Sequence, residues 1–175
     1  MQSVFGLRSI VKYWLPVIVW MAFIFIGSTN LLSSSNTERF LVPFLRWLYR
    51  GITELGLSHA MTFIRKMGHI TEYAILFILV WRALNHWTFS QAMPRFWSNA
   101  GPAMVFAALY AVGDEIHQSF YRSRTPSARD VLIDISGAVL GLMLLGAIGC
   151  WHRKSIATMA KSPPRKNNAV SPLGF

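Results

Sequence analysis

Four long apolar stretches, each near the length that crosses a bilayer, divide the chain. They run over Tyr13–Leu32, Met67–Leu84, Ala100–Phe120 and Val131–Trp151. A membrane-crossing helix needs about 20 mainly apolar residues. With turn signals added, the pattern predicts helices over Tyr13–Thr29, Thr62–Leu84, Ala100–Phe120 and Ser127–Trp151. Pro16 and Pro102 are expected in first turns, where a missing N–H costs little. Between the first two spans, Glu38–His59 is too polar to cross a bilayer. Its Leu41, Phe44, Leu45 and Leu48 recur at helical spacing, with Arg39, Arg46 and Arg50 elsewhere on the wheel. Such a segment is expected to lie in the membrane interface, interrupted near Gly51 and Gly56. The stretch NHWTFSQAMPRFWSN reads as a loop, with Trp87, Phe96 and Trp97 as interfacial anchors. The expected fold is therefore all-α: a polytopic four-transmembrane-helix bundle with an interfacial amphipathic segment after helix one. Residues 1–152 form the transmembrane domain. Residues 153–175 form a basic tail, rich in Pro, Ser and Asn, that is expected to be disordered.

Composition supports lipid as the main solvent. Hydrophobic residues make up 53% of the 175 and charged residues 14%, against about 25% charged in a soluble domain. Mean hydropathy is +0.38. A net charge of +10 would suggest nucleic acid in a soluble chain, but no recognition motif accompanies it. The basic residues instead flank apolar spans, where anionic lipid headgroups attract them. The single cysteine, Cys150, excludes an internal disulfide and a cysteine-built metal site, and reads as a packing residue. Arg8 and Lys12 ahead of YWLPVIVWMAFIFI fit the start of a signal peptide. The following GSTNLLSSS lacks a small-x-small cleavage site, so an uncleaved first helix is expected. Four spans put both termini on one side. Lys and Arg fall almost equally on the two sides; with Lys66, Arg122, Arg124 and Arg129 assigned to a site, the remainder points to cytoplasmic termini.

The polar residues inside the spans carry the chemistry. Of the 7 acidic residues, all but Glu38 and Glu54 fall in helices two, three and four. KMGHITEY opens helix two, with Lys66, His69 and Tyr73 on one face and Glu72 beside it. DEIHQSFY closes helix three, with Asp114, His117, Gln118 and Tyr121 in one stripe and Glu115 a quarter-turn away. Helix four carries Asp130, Asp134, Gly137 and Gly141 along one face. Alternating helix directions bring these three helix ends to the same membrane face. Ionisable residues within spans are costly, normally face the bundle interior and pair with one another. Structural roles compete with function for several of them. Ser127 with Asp130 fits a helix cap, and Gly137 with Gly141 fits a close-packing face. Arg122, Arg124 and Arg129 can simply neutralise Asp114, Glu115 and Asp130. His59, His86 and His152 read as surface residues.

KMGHITEYAIL, LYAVGDEIHQSF and SRTPSARDVLIDISGAVLG, in that order, closely resemble the VanZ-like family of bacterial membrane proteins. The resemblance covers about Lys12–Cys150. The loop YRSRTPSARD departs from the more usual form with Val-Pro-Gly before Arg-Thr/Ser. The resemblance implies a multi-pass protein of the bacterial cytoplasmic membrane. It also implies a loose link to resistance against the glycopeptide teicoplanin, from which the family takes its name.

From the residues, the leading expectation is a site at the extracytoplasmic face for the anionic headgroup of an envelope lipid or lipid-linked precursor. Lys66, Arg122, Arg124 and Arg129 would hold phosphate, since guanidinium forks match phosphate oxygens. Asp114, Glu115, His117, His69 and Glu72 would orient those cations or move protons. Tyr73, Gln118, Ser127, Asp130 and Asp134 would complete the site. A second reading makes the same cluster an enzyme acting on a lipid by His/carboxylate acid–base chemistry, with Ser119, Ser123, Thr125 or Ser127 as hydroxyls in reach. A third is a non-catalytic envelope scaffold. His69, Glu72, Asp114 and His117 include metal-ligand types, but the nearby cations oppose a metal's charge, and neither metal nor cofactor is expected.

Overall fold

The computed structural model describes residues 7–29, 34–87, 93–120 and 127–161. Within them are five helices and no strands: α1 (Leu7–Ser28), α2 (Ser34–Leu48), α3 (Glu54–Trp87), α4 (Met93–Ser119) and α5 (Ala128–Lys161). Residues up to Met143 form one compact unit and residues from Leu144 another. In the second unit the helix continues to Lys161, ten residues beyond the expected end at Trp151, and exposes Ile148, Trp151 and Ile156. Cys150 is exposed rather than packed.

Three helices are long and apolar enough to cross a membrane, over Arg8–Ser28, Glu54–His86 and Ala128–Ile156. The chain is thus a multi-pass membrane protein. α4 falls short on hydropathy because both its ends are polar, from Trp97–Asn99 to Asp114–Ser119.

Two prolines sit deeper than the pattern predicted. α1 begins at Leu7, so Pro16 lies inside the helix. Pro16 has no N–H for the carbonyl four residues earlier, that of Lys12. Arg82 of α3 donates its Nη2 to that carbonyl at 3.3 Å, which replaces the missing bond. The same guanidinium lies over the Tyr13 ring, and His86 stacks on that ring at 3.7 Å. His86 is therefore a packed residue and not the surface residue its position suggested. α4 begins at Met93, so Pro102 too is interior. The expected loop after the second span is helical from Met93 on, and Asn99 ties α4 to Asn85 of α3 at 3.1 Å.

Packing in the first unit follows from side-chain size. Ala100, Ala103, Ala107 and Ala111 form a buried small-residue stripe along α4. Such stripes let helices approach closely in a membrane. Tyr73, Leu76, Phe77 and Val80 of α3 and Val17 and Ile24 of α1 fill the space between. α5 meets α3 through glycine. A methyl group at Gly137 would overlap the carbonyl of Ile70 and lie 2.9 Å from its Cα; one at Gly141 would lie 2.7 Å from the carbonyl oxygen of Ala74. Only a residue without Cβ fits at either position.

Gly137→Val is expected to destabilise the protein by about 1–3 kcal/mol, the usual cost of overpacking, whereas Gly101→Ala, which meets open space, is neutral or mildly stabilising. Thermal unfolding of the detergent-purified variants, followed by loss of the monodisperse peak, checks this contrast.

Candidate functional site

The site is set by a mismatch of helix lengths. α3 has 34 residues and α1 has 22. Trp20 of α1 donates its indole N–H to the carbonyl of Glu72 at 2.9 Å, which fixes the two helices in register. At 1.5 Å per residue, the start of α3 projects about 15 Å past the end of α1. α2 packs on α3, with Arg46 Nη2 at 2.6 Å from Glu54 Oε1. Between this overhang, α2 and the end of α1 lies a cavity of about 520 Å³. Its lining is mixed: Ile24, Leu41, Val42, Leu57, Met61 and Ile64 are apolar, and Arg65, His69, Glu72 and Asp114, with Glu38 and Glu54, are polar.

Beside this cavity, α3, α4 and α5 bury their ionisable groups. Asp134 is 1% exposed, and its Oδ1 lies 3.1 Å from His69 Nδ1. The close α3–α5 approach at Gly137, nearly one turn further along, makes this contact possible. Tyr73 is fully buried, and its hydroxyl has no hydrogen-bond partner among the described residues. Tyr110, whose ring lies 6.4 Å from that of Tyr73, donates its hydroxyl to the carbonyl of Met21 at 2.6 Å. Asp114 is 5% exposed. Its Oδ2 accepts from Gln118 Nε2 at 2.8 Å, one helical turn away, while its Oδ1 has no partner among the described residues.

The remaining predicted residues separate by role. Glu115 is buried and accepts the backbone N–H of Ser127 at 2.9 Å. Ser127 is the N-cap of α5, its Oγ accepting from Arg129 N at 3.2 Å. In a capping box the residue three positions on, here Asp130, would return a bond to the cap's own N–H. Glu115 of α4 supplies that bond instead, which also sets a carboxylate at the positive end of α5. Asp130 sits partly exposed in the first turn. His117 leaves the His69 group for α1, stacking on Phe25 at 4.0 Å with its Nδ1 3.2 Å from Ser28 Oγ. That Ser–His pair lines up poorly for nucleophilic work. Ser28 already donates to the carbonyl of Phe25 at 3.0 Å, so the imidazole faces the hydroxyl as a donor and not as a base. Ser119 likewise donates to its own helix, to the Ile116 carbonyl at 2.6 Å. Lys66 and Arg129 are exposed, and Lys66 does not line the cavity. Arg122, Arg124, Ser123 and Thr125 lie outside the described residues.

Arg65 and Ser28 were not among the predicted residues. A signal for Arg65 existed: Ser58, Met61, Thr62, Arg65, His69 and Glu72 recur at three- and four-residue spacing, and all line the cavity.

The model of one protein family, VanZ/LLP1, matches residues 13–149 of the chain, a span that takes in every group of this site. No curated protein and no solved structure matches it significantly.

If His69 and Asp134 act as a pair, a double-mutant cycle with His69→Gln and Asp134→Asn gives a coupling between about 0.5 and 3 kcal/mol. Additive losses in thermal unfolding would show that the two groups are not linked.

Proposed function

The chain belongs to the VanZ/LLP1 family, and on that premise we propose that it binds the headgroup end of an envelope lipid or lipid-linked precursor in the cavity between α1, α2 and α3. The observation that carries this reading is the cavity's mixed lining: six aliphatic and thioether side chains together with Arg65, His69, Glu72 and Asp114. Amphiphiles meet both kinds of surface at once, and a volume near 520 Å³ falls in the range that small-molecule sites occupy. In this reading Arg65 supplies the fork for a phosphate.

The arrangement of α4 supports a fourth span. Asp114, Glu115 and Gln118 are turned inward, while Val105, Leu109, Val112 and Ile116 form an exposed apolar stripe. With 27 residues, α4 is about 40 Å long, enough to cross. Four spans place the cavity at the face opposite the termini, which is extracytoplasmic when the termini are cytoplasmic. α2 exposes Phe40, Phe44, Trp47 and Leu48, a suitable surface for the lipid interface. A protein that holds envelope lipids in this way serves envelope upkeep, and a change in teicoplanin resistance is one effect the reading accommodates. Acid–base catalysis has less support, because the serine hydroxyls of Ser28 and Ser119 already donate to backbone carbonyls.

Arg65 is exposed along α3, so Arg65→Gln is expected to leave the unfolding temperature unchanged while lowering retention of phospholipid by about tenfold, the loss of one charge-assisted contact. Lys66→Gln, one position on and off the cavity, leaves retention intact. Native mass spectrometry of the purified variants compares them, and equal retention in all three proteins would remove the cavity from the reading.

A further inference from the structure

Among the described residues, the charges around the cavity do not match a simple anion. Glu38, Glu54, Glu72 and Asp114 face it, against Arg65 and His69. Arg46 pairs with Glu54, and His69 is already held at 3.1 Å from Asp134. The acidic surplus alone would carry little weight, since exposed carboxylates such as Glu54 are solvated. Asp114 is different. It is 5% exposed, lines the cavity and leaves Oδ1 without a partner among the described residues, while Gln118 takes only Oδ2. A buried carboxylate oxygen without a donor is costly. Asp114 borders the cavity, and a ligand with N–H donors and positive charge answers both the missing donor and the surplus.

Resting on the headgroup-binding reading above, we infer that the lipid taken by this cavity carries a primary ammonium group, received by Asp114, in addition to the phosphate received by Arg65. The class is that of zwitterionic aminophospholipids. A primary ammonium brings three N–H donors and forms the short charge-assisted bonds that a carboxylate favours. A quaternary ammonium brings the charge without the donors. An anionic glycerol headgroup brings hydroxyl donors without the cation, and adds negative charge next to Glu72 and Asp114.

The test uses the full-length protein in mixed micelles holding equal amounts of phosphatidylethanolamine, phosphatidylcholine and phosphatidylglycerol, with bound lipid counted by native mass spectrometry. Phosphatidylethanolamine is expected to exceed each of the others by about tenfold, one charge-assisted hydrogen bond's worth. Asp114→Asn is expected to erase that preference while lipid is still bound. Arg65→Gln is expected to lower all three. The comparison of the three lipids in the unaltered protein needs no variant, so it decides the matter even if Asp114→Asn fails to fold. Equal retention of the three, or an excess of phosphatidylglycerol, overturns the ammonium assignment and leaves headgroup binding standing. No retained phospholipid of any kind overturns both.

Discussion

The backbone contact between α5 and α3 governs the polar half of this protein. Where Gly137 and Gly141 lie against Ile70 and Ala74, there is no room for a Cβ, and the two helices approach to backbone distance. That approach carries Asp134, fully buried, to within 3.1 Å of His69. In hydrocarbon an unpaired carboxylate is costly and paired ionisable groups are the rule. The glycines therefore do more than pack helices: they let an acidic residue be buried at all. Asp134 in turn holds His69 at the edge of the cavity, and Glu115, by capping α5 through Ser127, fixes the start of the helix that delivers Asp134. The three helices of the site are thus tied through Asp134, Glu115 and the glycine contacts, none of which lines the cavity.

Helix lengths make the rest. A 34-residue α3 beside a 22-residue α1 leaves an overhang, and α2 folds back along it. The cavity exists because the overhang has a covering helix on one side and the end of α1 below it. Its apolar lining comes from Ile24 of α1, from α2 and from the early turns of α3, and its polar lining mainly from the turns of α3 that follow.

Much of this was legible in the sequence. The all-helical class, the membrane character and the convergence of helix ends follow from apolar run lengths and from the antiparallel order they impose. The inward faces of Asp114 and Asp134 follow from the cost of charge in lipid. Helix starts were read too late at Tyr13 and Ala100, since proline was assumed to mark a first turn. Arg82 meets the carbonyl that Pro16 leaves free, and no local pattern announces a partner 70 residues away. His117 was grouped with His69, although one turns toward α1 and the other toward α5; a helical wheel gives a direction but not the neighbour in it. Arg65 was legible and missed, because the family-like residues on the adjacent face drew the reading toward Lys66.

The most direct measurement of the central claim is photocrosslinking from a phospholipid that carries a photoreactive group on its headgroup, applied to the protein in membranes and mapped by peptide mass spectrometry. The account predicts adducts concentrated on the cavity stripe of α3, from Ser58 to Glu72, and on the facing Leu41 and Val42 of α2. Adducts spread instead over the outward apolar faces of α1 and α4, with none on that stripe, would contradict it.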